Sequence, residues 1–142
     1  MTSRRLQTYA TDEITVSFDP TRCIHAAECI RTAPAVFDSR RKRWIRPDLG
    51  TTDEIVTAVG RCPTGALSYV LPNGPVEGPA PEAAIVVRRD GPLYLRGAIR
   101  IEREDGGVVA ETLRVALCRC GATKNAPFCD NSHREIGFRD PR

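Results

Sequence analysis

Ten consecutive residues, Pro72-Asn-Gly-Pro-Val-Glu-Gly-Pro-Ala-Pro81, hold four of the chain's 11 prolines and two of its 11 glycines. Proline fixes φ and has no N–H to donate, and glycine has no side chain to pack, so the stretch reads as a linker. It divides the 142 residues into a piece spanning 1–71 and a piece spanning 82–142. Pieces of that size sit near the lower limit for a self-sufficient apolar core, and domains so small commonly need a staple. The six cysteines fall three to each side: Cys23, Cys29 and Cys62, then Cys118, Cys120 and Cys129.

What kind of staple follows from where the chain is expected to reside. No apolar run approaches the roughly 18–20 residues of a membrane span. The first 13 residues are polar, and Arg4-Arg5 is not followed by an apolar stretch, so no export signal is expected. A cytoplasmic location is therefore expected, where thiols stay reduced and six cysteines point to metal ligands rather than disulfides. A net charge of +3 with 6% aromatic residues is too weak a basis for nucleic-acid binding.

The first piece reads as β-α-β-α-β. Ile14–Phe18 alternates apolar and polar, as a half-buried strand does. Residues 24–33 form a short helical stretch that must stop at Pro34. Arg43–Arg46 reads as the middle strand, paired to a short partner near Val36-Phe37. Thr51 and Glu54 make a capping box for a helix with Ile55, Val56 and Val59 on one face, ending near Gly60. Ala66–Leu71 is the last strand, and Phe37, Trp44 and Tyr69 are expected to fill the core. In the second piece, 85–87, 93–95, 99–101 and 113–117 are short apolar or alternating runs. Asp90-Gly91 and Asp105-Gly-Gly107 lie between them as turns, which predicts a small antiparallel sheet. The fold class is α+β.

After Leu117 the alternation ends, and Cys118-Arg-Cys120 is followed by Cys129 and His133. Three thiolates and an imidazole suit zinc or an iron–sulfur cluster. Structural zinc sites commonly place two residues between paired cysteines, whereas here there is one. A two-iron cluster is larger, so Cys118 and Cys120 can hold one iron while Cys129 and His133 hold the other. The run from Cys118 to His133, with Thr123, Pro127 and Asp130, resembles the CDGSH signature of mitoNEET-like iron–sulfur proteins. It departs from that signature at Asn131, which stands where the family has glycine; asparagine tolerates a left-handed backbone better than most residues. The resemblance implies a [2Fe–2S] cluster on Cys118, Cys120, Cys129 and His133. One neutral imidazole in place of a thiolate makes such a cluster easier to reduce, and a protonated imidazole cannot hold iron. Redox behaviour that depends on pH, and acid-labile binding, are expected.

In the first piece, Cys23 and Cys29 match the first and third positions of a bacterial ferredoxin C-x₂-C-x₂-C run, with Ala26 at the second and Cys62-Pro63 as the remote ligand. Together with the element order, this is similar to a divergent single-cluster ferredoxin. The resemblance implies a [3Fe–4S] cluster on Cys23, Cys29 and Cys62, or a [4Fe–4S] cluster whose fourth ligand is water or His25. Thiols packing as small apolar groups would be the bland reading, and His25, beside Ala26, is more simply a loop residue.

The function expected is one-electron transfer with no catalytic residues, since no nucleophile–base pair or carboxylate dyad stands out. Cluster storage or transfer, or redox sensing, is the alternative, and a structural zinc module is a third reading. The expected partners are redox proteins or an apo-acceptor of a cluster, with no nucleic acid and no membrane, and a monomer is favoured over a homodimer. The basic run Arg40-Arg-Lys-Arg43 with Arg46 is a solvated hairpin or a steering patch for an acidic partner.

Overall fold

A computed structural model describes residues 6–74 and 76–141; Arg4-Arg5, and Pro75 of the linker, lie outside them. The chain forms two compact units. One comprises Met1–Thr21, His25–Cys62 and Ala66–Glu77; the other comprises Arg22–Ile24, Pro63–Gly65 and Gly78–Arg142. Among the described residues no helix is long and apolar enough to cross a membrane.

The first unit has an antiparallel sheet of β1 (Gln7–Ala10), β2 (Thr15–Phe18) and β3 (Leu67–Val70), with β2 central. Ile14, Val16 and Phe18 are buried while Thr15 and Ser17 are half-exposed, so the predicted alternation faces one side to the core. Helix α2 (Thr52–Gly60) begins where the capping box places it: the Glu54 N–H donates to the Thr51 hydroxyl at 3.2 Å. Its Ile55, Ala58 and Val59 are fully covered. The core also takes in Val36, Phe37 and Ile45, each worth about 1.5–3 kcal/mol on burial. Trp44 meets Phe18 edge-on at 4.9 Å and Phe37 at 5.9 Å. Tyr69 is only half-buried on β3.

The observed order is β-β-α-α-β rather than the expected β-α-β-α-β, and the first helix differs in where it starts. Residues 43–46 contribute a single bridge, Phe37 opposite Ile45, rather than a strand. There the Arg46 N–H donates to the Val36 carbonyl at 2.8 Å and the Asp38 N–H to the Trp44 carbonyl at 2.9 Å, and the Arg41 guanidinium adds bonds to the carbonyls of Ala35, Val36 and Trp44 at 3.0, 2.7 and 3.2 Å. Strand β1 was not expected because its side chains are largely solvent-facing and carry no apolar alternation. Helix α1 (Glu28–Thr32) starts later than expected because His25 and Ala27 are left-handed, with φ of 58° and 63°.

Several arginines of the basic run have partners within this unit. Arg40 holds Asp38 through two bonds of 3.0 Å, Arg46 holds Asp48 at 2.6 Å, and Arg43 lies over Tyr9. Arg40 keeps the Asp38 carboxyl down at about 2.

The second unit is a sheet in the order β4 (Ala84–Val87), β5 (Leu93–Glu102), β6 (Val108–Leu117), antiparallel throughout. The runs 93–95 and 99–101 fuse into one strand because Gly97, at φ 133°, carries a register shift that only a residue without Cβ makes easily. Asp90 and Gly106 make the turns with positive φ. Ile24 packs on Ala116 and Cys129, with Tyr94 against them. Gly65, at φ 71°, lies so close to the Arg114 carbonyl that any Cβ would overlap it.

Candidate metal centre

Beyond β6 the chain makes one more antiparallel excursion. The Cys118 N–H donates to the Pro127 carbonyl at 2.8 Å, and the Cys129 N–H donates to the Ala116 carbonyl at 2.9 Å. These bonds, with the bridge between Leu117 and Phe128, carry the sheet register into the loop and set Cys118 beside Cys129. Inside the loop the Thr123 hydroxyl donates to the Phe128 carbonyl at 2.7 Å. Asn131, left-handed at φ 72°, turns the chain into the single helical turn α3 (Ser132–Glu135), which carries His133.

The four donors come two and two. Cys118 Sγ lies 3.7 Å from Cys120 Sγ, and Cys129 Sγ lies 3.7 Å from His133 Nδ1. Two sulfurs about 2.3 Å from a shared tetrahedral ion are themselves about 3.7 Å apart, and a sulfur and an imidazole nitrogen about 3.5 Å, so each pair has close to the span of one metal's edge. Among the described residues no three His, Cys, Asp or Glu side chains gather on a single ion. All four donors line one small cleft with Arg119 and Asp130 on its wall. Backbone N–H groups of Gly121, Ala122 and Asn131 point at the three sulfurs from 3.3, 3.4 and 3.5 Å. Such donors favour thiolate, the form that binds metal.

Protonation follows the same geometry. Burial pushes the Cys118 thiol up, but the N–H groups of Thr123 and Gly121 and the Cys120 thiol outweigh it, leaving it below an ordinary cysteine. Burial dominates at Cys129 and raises it. Burial, helped by Arg134, lowers His133 and keeps the imidazole neutral, as a ligand must be.

Asp130 and Asn131 hold the loop rather than the metal. Asp130 accepts from the Lys124 N–H at 2.9 Å and the Ser132 N–H at 3.0 Å. With the Ser132 hydroxyl the largest cause, these bonds draw its carboxyl down to about 2. The stabilisation is therefore present above the ordinary carboxylate value of 3.8 and disappears as pH falls toward 2. Asp130→Asn is expected to lower stability by on the order of 1 kcal/mol near pH 7, with the gap to the parent closing between pH 4 and 2. Thermal unfolding across that range measures it, and a gap independent of pH counts against the charge.

Asn131 uses its side chain as well as its backbone: Nδ2 donates to the Ile24 carbonyl at 2.7 Å. Asn131→Gly keeps the left-handed turn and loses only that bond, at a cost of about 1 kcal/mol. Asn131→Ala loses the bond and strains the turn, which adds about 1–2 kcal/mol. Denaturation midpoints of the two variants separate the effects, and equal midpoints would remove the backbone argument.

None of the six cysteines is disulfide-bonded. Of the N-terminal set, Cys29 lies on α1 and is half-buried, and Cys62 is buried just after α2, its N–H donating to the Val59 carbonyl at 3.1 Å. Both belong to the first unit, whereas half-buried Cys23 falls in the Arg22–Ile24 segment of the second. His25 is exposed on its left-handed backbone. Sequence reasoning passed over Arg119 and Asp140, which meet at 3.0 Å. A contact between residues 21 apart in irregular chain leaves no periodic signal.

Paired cysteines, an imidazole and N–H groups aimed at sulfur are the ligand chemistry of a soft metal centre, and the family matches make it that of an iron–sulfur protein. Residues 9–72 match the family described as divergent 4Fe-4S mono-cluster, and residues 90–134 match the iron-binding zinc finger of CDGSH type. The chain belongs to the divergent 4Fe-4S mono-cluster family and carries a C-terminal CDGSH-type domain. It is similar to the uncharacterized protein YjdI of Escherichia coli K12, 36% identical over 61 residues that make up 43% of this chain and 80% of YjdI. YjdI of Escherichia coli O157:H7 matches to the same extent.

Proposed function

We propose that this protein is a two-cluster, ferredoxin-like carrier of single electrons. In this reading Cys118, Cys120, Cys129 and His133 hold a [2Fe–2S] cluster, and Cys23, Cys29 and Cys62 hold a [3Fe–4S] or [4Fe–4S] cluster. The observation that carries it is the two-and-two spacing of the C-terminal donors, 3.7 Å within each pair. When bound, each cluster supplies one-electron chemistry, an iron passing between its ferric and ferrous states with no atom transferred. The chain's own part is to hold the ligands, aim N–H dipoles at sulfur and keep His133 neutral. No residue is assigned a catalytic role. The N-terminal ligand set rests on the Cys23–Cys29 spacing, Cys62-Pro63 and the family match over 9–72. A reducing, cytoplasmic setting and redox partner proteins belong to the same proposal.

Anaerobic purification with iron, sulfide and zinc analysis, followed by EPR of the oxidised and dithionite-reduced protein, tests it. Two distinct iron–sulfur signals are expected. Zinc without iron or sulfide in protein never exposed to air would overturn the reading.

Donation of the C-terminal cluster to an apo-acceptor is a second reading, favoured by the partial exposure of Cys118, Cys120 and His133. Incubation with an apo-ferredoxin separates the two, because transfer within minutes indicates a cluster donor and retention an electron carrier.

A further inference from the structure

A residue between two ligand cysteines usually has only to stay out of the way, yet Arg119 is drawn inward. Its side chain is 21% exposed, and the carboxylate it meets, Asp140, is 8% exposed. The guanidinium spends its donors on three acceptors. Nε donates to the Gly91 carbonyl at 2.9 Å, and Nη2 donates to the Arg88 carbonyl at 2.8 Å and to Asp140 Oδ2 at 3.0 Å. Its face lies over the Phe138 ring, 5.1 Å from the centroid. The tail is fixed in turn, since the Asp140 N–H donates to Asp90 Oδ1 at 2.7 Å and the Phe138 N–H to the His133 carbonyl at 2.9 Å.

These bonds make a closed circuit. One ligand pair flanks Arg119 directly. The other ends in His133, whose own carbonyl anchors the tail that delivers Asp140 back to Arg119. We infer that the Arg119–Asp140 ion pair is a clasp joining the two ligand pairs, and that both residues are positioning residues governing how long the C-terminal cluster is retained. The clasp needs a planar fork as well as a charge, because one guanidinium serves two carbonyls and a carboxylate at once. Lysine supplies the charge without the fork. A buried partner left alone is a stranded charge, so breaking either side opens the same circuit.

The inference rests on the proposed C-terminal cluster, and the experiment separates the two failures. Full-length protein purified with its clusters is mixed with a ferrous-iron chelator at neutral pH, and decay of the visible absorption is followed. Midpoint potentials are measured by EPR-monitored titration. A parent protein without a C-terminal cluster signal defeats the underlying reading. With the signal present, Arg119→Lys and Asp140→Asn are each expected to hasten cluster loss about 10- to 100-fold. Arg119→Ala combined with Asp140→Ala should be no faster than either alone, since one clasp is broken in all three. A purely structural role would leave the potentials unordered. The clasp predicts that Arg119→Gln lowers the potential, Asp140→Asn raises it, and Arg119→Lys leaves it near the parent's. Loss rates matching the parent's, or multiplying in the double variant, overturn the inference. If an Arg119 variant fails to fold, Asp140→Asn, an isosteric change, decides by itself.

Discussion

Changing His133 to cysteine is expected to lower the reduction potential of the C-terminal cluster by on the order of 100–300 mV, because a fourth thiolate adds negative charge where a neutral imidazole stood. The same change should remove the acid sensitivity of cluster binding. Burial and then Arg134 hold His133 below its ordinary value of 6.5. Protonation therefore favours the opened, metal-free chain. Retention should be full above about pH 6.5, the ordinary imidazole value, and fall progressively below it. Potential and cluster half-life measured between pH 5 and 8 should vary in the parent and be flat in His133→Cys. If the two proteins trace the same curves, His133 is not a ligand.

The second large effect is expected at the other end. Serine at Cys23, Cys29 and Cys62 together should take the iron content from about five or six per chain to about two, the counts that the cluster formulas set. The EPR signal of the C-terminal cluster should persist. Serine is nearly the size of cysteine, so the loss reports on ligation rather than on a hole in the core. Iron that stays at the parent's level would show that these thiols pack as small apolar side chains. The N-terminal piece is near the size at which a core needs help, so the triple variant should also unfold at lower temperature.

What the sequence discloses about this molecule is whatever acts locally. The Thr51–Glu54 capping box, the Ile14–Phe18 alternation and the left-handed site at Asn131 each depend on a few adjacent residues, and each is found where local rules put it. The pairing of Cys118 with Cys120, and of Cys129 with His133, is legible for the same reason: spacings of two and four residues bring donors within one turn. Other features leave no such local mark. The middle strand shrinks to the Phe37–Ile45 bridge, and the residues around it give no signal of where the pairing stops. Residues 24–27 have ordinary helical composition, yet His25 and Ala27 are left-handed. The bond from Asn131 to Ile24 spans 107 positions, and the Arg119–Asp140 pair lies in irregular chain, so neither has a periodicity to reveal it.

The inclusion of Arg22–Ile24 and Pro63–Gly65 in the second unit has a practical consequence for dissecting the protein. A scissile site engineered into the Pro72–Pro81 stretch looks ideal on paper, yet the excised C-terminal fragment would forfeit the Ile24 lid over Cys129 and the backbone acceptor for Asn131. Transplanting residues 82–142 into another scaffold as a portable redox cassette therefore calls for a surrogate for Ile24, or for the first 65 residues to be supplied in trans.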